Sequence, residues 1–303
     1  MHPYARPMRD FSEKLAVITG GASGMGRQLA RQLAAEGCDI AICDLSDDDM
    51  ADTTAQIREE SADITITSHH CDVGDEEAIL RFRDEVVEQH ETDHVNLVFN
   101  NAGISGGGSL FEGTREGWDR TFDICWGGVY WGTRAFLPLL TAADEGHLIN
   151  TSSVNGFWAS MGPERPHTAY SAAKFAVKGF TEALITDLRV HAPHVGVSLV
   201  MPGHVGTGIV KSSLRHGSIG DELTDEMRSM MDLAATAFET QAPMTAAEAA
   251  TVILDGVREN RWRILVGDDA HALDAFVRSN PEKAYEHGGL LDTLSEFAPS
   301  DDA

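Results

Sequence analysis

The apolar run Leu15-Ala16-Val17-Ile18-Thr19 passes without a break into Gly20-Gly21-Ala22-Ser23-Gly24-Met25-Gly26, and helical periodicity follows through Leu29, Leu33 and Ala34 to Gly37. Strand, glycine turn and helix in that order constrain the fold more than any other stretch. Glycines at 20, 24 and 26 let the backbone turn sharply and approach a pyrophosphate, whose charge a helix N-terminus stabilises. A glycine turn alone serves equally as a tight connection; the strand before it and the helix after it are what raise nucleotide binding.

The next strand, Asp39 to Asp44, ends in an acid 18 residues beyond Gly26, where a ribose-binding carboxylate is expected. Asp44 would accept hydrogen bonds from the ribose hydroxyls and repel a 2′-phosphate. With no arginine or lysine close behind it, NAD is favoured over NADP. The competing reading is that Asp44 caps the helix that begins near Ser46.

Residues 47 to 60 read as an acidic helix, 64 to 70 as a strand, and 75 to 90 as a helix after Asp72-Val73. His69-His70-Cys71 lacks neighbours that complete a zinc set, so no metal is assigned. Val95 to Phe99 is a buried strand that delivers Asn100-Asn101-Ala102-Gly103, small residues and amides suited to a loop passing a ligand. The βαβαβαβ order implies an α/β, Rossmann-like doubly wound parallel sheet of about seven strands, with helices on both faces and a site at the strand C-terminal ends.

A long helical segment spans 116 to 143, its tryptophans read as core and subunit contacts. The strand His147 to Thr151 then delivers Ser152 and Ser153. An apolar loop carrying Asn155, Phe157, Trp158 and Met161 is read as a substrate-pocket wall. Val195 to Met201 forms a sixth strand, closed by Pro202-Gly203-His204-Val205-Gly206-Thr207, and residues 208 to 243 read as a lid. A helix at 246 to 260, a seventh strand at 262 to 267, a last helix at 270 to 278 and a polar, partly disordered tail complete one domain, 1 to 303, with its core at 14 to 267 and a C-terminal helix and tail at 268 to 303.

Tyr170 and Lys174 stand four residues apart in a helix-forming run, hence on one face. An ammonium about 5 Å from a phenol at an effective dielectric of about 20 favours the phenolate by roughly 3 kcal/mol, or about two pKa units. Such a pair could exchange protons near neutral pH. On spacing alone it is more often the edge of a surface helix.

Composition narrows the partners. With 48 acidic against 23 basic residues and a formal charge of −25, the chain repels nucleic acid and anionic membranes. The four cysteines form no CxxC pair, which argues against a disulfide framework, and no apolar run approaches a membrane span. These features lead to an expectation of a cytoplasmic protein.

Taken together, Thr19-Gly20-xxx-Gly24-x-Gly26, Asp72-Val73, Asn100-Asn101-Ala102-Gly103, a serine after the fifth strand, Tyr-xxx-Lys and Pro202-Gly203 before Thr207 closely resemble the short-chain dehydrogenase/reductase family in its compact single-domain form. The resemblance covers residues 14 to 267. It implies Ser153, not Ser152, as the substrate-orienting serine and Tyr170 as the general acid/base, with Lys174 lowering the tyrosine pKa and holding the nicotinamide ribose. It also implies a cofactor lined by Gly20, Ser23, Gly24, Met25, Gly26, Asp44, Asp72, Val73, Asn101, Ala102, Gly103, Pro202, Gly203, Val205 and Thr207, and assembly as a homodimer or homotetramer. Two departures stand out. Cys125 occupies the stretch where the family usually carries an asparagine that supports a proton relay to the lysine, and a thiol does not replace an amide. The interval from Ser153 to Tyr170 is also longer than is common.

The function expected on this basis is hydride transfer between NAD(H) and a small hydrophobic secondary alcohol or ketone. A related epimerase or dehydratase, and a catalytically weak NAD-binding regulator, are the alternatives.

Overall fold

The computed structural model describes residues 7–160, 166–216 and 225–286. Seven strands form one fully parallel sheet: β1 (Leu15–Thr19), β2 (Asp39–Asp44), β3 (Ile66–His70), β4 (Leu97–Asn100), β5 (Gly146–Thr151), β6 (Val195–Pro202) and β9 (Arg263–Val266). Their spatial order is β3-β2-β1-β4-β5-β6-β9. Chain order reverses at β1, with Ile18 opposite Ile42 of β2 on one side and Phe99 of β4 on the other. A crevice therefore opens beyond the C-terminal ends of these strands, directly above the glycine turn.

Strands buried on both faces must be mainly apolar, as β1, β4 and β6 are. Successive residues alternate faces. Ala16 and Ile18 join a core with α1 (Gly24–Ala35), α2 (Asp47–Glu60) and α9 (Ala246–Arg258), whereas Leu15 and Val17 join a second core with α3 (Glu76–Gln89), α5 (Gly128–Ala142) and α6 (Thr168–His191). Burial of this apolar surface on both faces of the sheet is the main driving force of the fold, at about 25 cal/mol per Å².

The long helix expected at 116 to 143 is not continuous. It comprises α4 (Arg115–Phe122), a π-helical turn at Asp123–Gly127 and α5. Widening the helix by one residue at this point turns Cys125 inward, where its thiol donates to the Ile104 carbonyl at 3.1 Å. A small two-stranded parallel sheet, β7 (Val205–Gly206) with β8 (Met244–Thr245), was not foreseen. It brackets the expected lid, which contains α7 (Ile209–His216) and α8 (Asp225–Thr240). Thr245 and Glu248 close a capping box at the start of α9, so the far end of the lid is pinned where the regular fold resumes.

Of the tail expected from Pro281, residues 281–286 pack onto the fold and the rest lies outside the described residues. After α10 (Asp268–Ser279), a 3-10 turn at Pro281–Lys283 brings Ala284 into a small core with Trp158 and Leu273.

Candidate active site

One cavity of about 680 Å³ runs along the C-terminal edge of the sheet and reaches from Asp44 and Asp72 to Trp158 and Phe238. Its walls are mainly apolar. The glycine turn forms one end, and the space that a side chain would take there is already filled: a Cβ on Gly26 would lie 2.0 Å from the Gly20 carbonyl oxygen, and one on Gly20 would lie 2.9 Å from Ala102 Cα. Gly20 and Gly24 also have φ of +69° and +52°, a conformation that costs glycine little. Ser23 and Met25 complete the wall, with the amino end of α1 beside it.

At the end of β2, Asp44 accepts from Leu45 N at 2.7 Å and from Ala22 N at 3.2 Å, so the carboxylate joins the glycine turn to the next loop. A longer bond comes from Ser46 N at 3.4 Å, and the carboxylate oxygens carry lone pairs beyond these three bonds, which leaves capacity for hydroxyl donors. The nearest arginine in the turn, Arg27, is committed to the Ala22 carbonyl at 2.6 Å and to Thr53 Oγ1 at 2.7 Å. Asp72 and Val73 line the same region, Asp72 paired with Arg120 at 2.8 Å. Asn101 donates through Nδ2 to the Thr19 carbonyl at 3.1 Å, while its buried Oδ1 has no hydrogen-bond partner among the described residues. An orphaned amide oxygen, a glycine cradle closed to side chains and an acid at the second strand end are the features a dinucleotide requires, and the residues present fit one.

Ser153, Tyr170 and Lys174 meet mid-cavity. The serine pair divides its work: Ser152 Oγ donates to the Lys174 main-chain carbonyl at 2.8 Å and is consumed in fastening β5 to α6, whereas Ser153 accepts from Asn155 N at 3.1 Å and hydrogen-bonds the Tyr170 phenol. Lys174 Nζ donates to the Thr151 carbonyl at 2.9 Å and stands 5.4 Å from the centre of the Tyr170 ring. The expected separation of phenol and ammonium is therefore met, but its expected effect on the phenol is not. Burial pushes the Tyr170 phenol well above the ordinary tyrosine range, with Cys125 beside it adding to the rise and the Ser153 hydrogen bond opposing it. Burial also pushes Lys174 below its usual value. Desolvation penalises both charges, and that penalty outweighs the attraction reckoned at surface dielectric.

The apolar wall is only partly the one expected. Asn155 and Trp158 line the cavity, but Asn155 spends its Nδ2 on the carbonyls of Trp158 at 3.0 Å and Ser160 at 2.9 Å. Phe157 packs away from it, against the cluster of Val129, Val177, Leu199 and Met201, and Met161 lies outside the described residues. Trp158 is held from behind, its Nε1 donating to the Ala284 carbonyl at 2.9 Å while Ala159 N donates to the Tyr285 hydroxyl at 3.0 Å. Pro202, Gly203, Val205 and Thr207 line the far side. A Cβ on Gly203 would lie 2.2 Å from the Asp269 carboxylate, which accepts from His204 N at 2.7 Å and so clamps this loop.

Ser105, His167, His204 and Asp269 are among the cavity residues that escaped the sequence reading. Asp269 lies just past the end of β9 and His204 directly follows Pro202-Gly203, so position at a strand end was an available signal for both. Ser105 and His167 meet only through the tertiary fold, His167 Nε2 lying 3.1 Å from Ser105 Oγ. The His69-His70 pair is engaged elsewhere, His69 Nδ1 with Glu85 at 2.8 Å and His70 Nδ1 with Asp47 at 3.0 Å.

Residues 14–217 match the family model for short chain dehydrogenases. The chain belongs to that family and is an oxidoreductase of its type. The SadH protein of Mycobacterium tuberculosis is 35% identical over 272 residues, spanning 89% of this chain and 92% of its own. A short-chain dehydrogenase/reductase from Burkholderia phymatum, solved in complex with NAD, superposes with a TM-score of 0.78 at 31% identity over 91% of this chain and 95% of its own. A metagenomic short-chain oxidoreductase solved with NADP aligns over 74% of this chain and 91% of its own, at 29% identity and a TM-score of 0.56. Among the described residues no helix is long and apolar enough to cross a membrane.

Proposed function

We propose that the protein transfers hydride between NAD(H) and a secondary alcohol or ketone, with Tyr170 as general acid/base, Ser153 orienting the reacting oxygen and Lys174 beneath them. The observation that carries this reading is the convergence of Ser153, Tyr170 and Lys174 in the same cavity as the glycine turn and Asp44. When bound, the nicotinamide supplies the hydride acceptor or donor. In oxidation, the Tyr170 oxygen takes the hydroxyl proton while the Ser153 hydroxyl hydrogen-bonds the substrate oxygen as it becomes a carbonyl; reduction reverses both transfers. Lys174, fixed by the Thr151 carbonyl, has two further N–H donors for a ribose and for solvent. Cys125 Sγ is engaged with the Ile104 carbonyl, so the proton path behind Lys174 runs without a side-chain amide.

NAD is assigned over NADP because the Asp44 carboxylate occupies the end of β2 and Arg27 is spent on protein partners, leaving a 2′-phosphate with a repelling charge. This assignment also agrees with the NAD complex of the Burkholderia relative. The mainly apolar walls support a hydrophobic substrate. Aromatic side chains on the π-helical turn, α5 and α6, among them Trp126, Tyr130, Phe180 and the exposed Phe175, support assembly as a homo-oligomer, and the continuous seven-stranded main sheet supports one domain. We read the protein as cytoplasmic.

Tyr170→Phe is expected to lower turnover by about 10²–10⁴-fold over a panel of secondary alcohols while NADH still binds, as read by nicotinamide fluorescence. Undiminished turnover removes the assigned role. Cofactor titration supplies a separate check: tighter binding of NADPH than of NADH overturns the role given to Asp44.

A further inference from the structure

The far wall of the cavity is a loop whose place is set from outside itself. β6 pairs with β5, Val200 opposite Thr151, and Ser152 N donates to the Val200 carbonyl at 2.8 Å, so Pro202 and Gly203 emerge beside Ser152 and Ser153. Further along, Thr207 stands against the glycine turn: a Cβ on Gly24 would lie 3.3 Å from the Thr207 Cβ. The stretch from Pro202 to Thr207 therefore runs from the reacting residues to the turn. With a pyrophosphate at the glycine turn and hydride transfer at Tyr170, the nicotinamide half of the cofactor lies along this stretch. The adenosine half lies beyond the turn, toward Asp44.

Gly203 gives the loop little stiffness of its own, and its backbone is fixed by neighbours. Gly203 N donates to the Val266 carbonyl at 2.9 Å, and His204 N donates to Asp269 Oδ2 at 2.7 Å. Asp269 belongs to the first turn of α10 and is 8% exposed; its other oxygen, Oδ1, accepts from Ala270 N at 2.9 Å. Each oxygen thus serves a different N–H, and an asparagine, with one acceptor oxygen, can face only one of them. Two glycines make the niche: a Cβ on Gly203, or on Gly267 with its φ of +102°, would overlap the carboxylate. Farther along α10, Leu273 packs with Trp158. One helix therefore reaches both the cofactor loop and the Trp158 wall.

We propose that Asp269 is a positioning residue for hydride transfer: by fixing the Gly203–His204 peptide it holds the wall on which the nicotinamide half of NAD(H) seats, and it leaves the adenosine half untouched. This rests on the dehydrogenase reading above and adds to it a residue beyond the segment that matches the family model. A hydrogen bond to a charged acceptor is stronger than one to a neutral acceptor, and removing a buried acceptor leaves its donor unpaired. Loss of the carboxylate frees the loop where alignment of the reacting groups matters most.

The test titrates the full chain calorimetrically with NADH and with ADP-ribose, which keeps the adenosine, the pyrophosphate and the second ribose but lacks the nicotinamide. Asp269→Ala is expected to weaken NADH binding by about tenfold or more while ADP-ribose binding stays within about twofold of wild type. Asp269→Asn should fall between the two. Retained ADP-ribose binding also reports an intact fold, and should Asp269→Ala not fold, the isosteric Asp269→Asn decides by the same criterion. NADH affinity unchanged in the variants, or an equal loss for both ligands, overturns the assignment. A wild type that binds NADH but turns over no alcohol or ketone instead removes the dehydrogenase reading; the split between the two ligands still decides whether Asp269 holds the nicotinamide half.

Discussion

Burial has opposite consequences for the titratable residues of this site, and each can be tested one residue at a time. His167 ordinarily titrates near 6.5 and is held down to about 4 by burial. A histidine with a depressed folded-state value binds a proton in the unfolded chain first. Its neutral burial therefore favours folding fully above about pH 6.5, and this contribution is lost progressively as pH falls toward 4, a loss on the order of 3 kcal/mol if the whole shift is realised. Urea unfolding followed from pH 7 to 4 should show that loss, and His167→Phe should flatten it. An identical pH slope in the variant would place the acid lability elsewhere. Tyr170 behaves in the opposite sense. Its raised value leaves the phenol protonated at neutral pH, so oxidation, which needs the phenolate, should speed up with rising pH until the protein loses stability above the ordinary tyrosine range. The sequence reading of Tyr170 captured the geometry of the pair but not the sign of the shift, because spacing along a helix carries no information about desolvation.

The elements that shape the Trp158 end of the cavity are drawn from distant parts of the chain. The wall at Trp158 is held by Ala284 and Tyr285, contacts made across 126 residues and lying beyond the segment that matches the family model. Tyr285→Phe removes the hydroxyl that accepts from Ala159 N and is expected to raise the KM for substrate a few-fold, leaving NADH affinity unchanged, since the glycine turn is untouched; steady-state kinetics beside fluorescence titration would read both. A change in cofactor affinity alone would contradict the strut. Periodicity and turn residues located every strand of the main sheet, because parallel strands buried on both faces are written as short apolar runs. By contrast, the π-helical turn at Asp123–Gly127 leaves the helical pattern intact in the sequence and becomes visible only as a change in backbone hydrogen bonding.

At the scale of the whole molecule, a formal charge of −25 destabilises the compact state through self-repulsion that salt screens. The melting temperature is expected to rise between low and about 1 M sodium chloride, where the Debye length falls to roughly 3 Å. A flat or falling curve would mean that ion pairs, weakened by the same salt, matter more. What the sequence by itself determined is the sheet and its cofactor edge: the Gly20–Gly26 turn, the acid at the end of β2 and the Tyr-xxx-Lys spacing are local patterns, and local patterns are readable along a chain. Only the tertiary structure decided the environment of those groups. Tyr170 lies buried against His167, Ser105 reaches His167 from 62 residues away, and Asp269, beyond the neighbouring strand β9, clamps the loop after β6 through His204 N. Desolvation and long-range hydrogen bonds depend on which surfaces meet, and spacing in the sequence does not encode that.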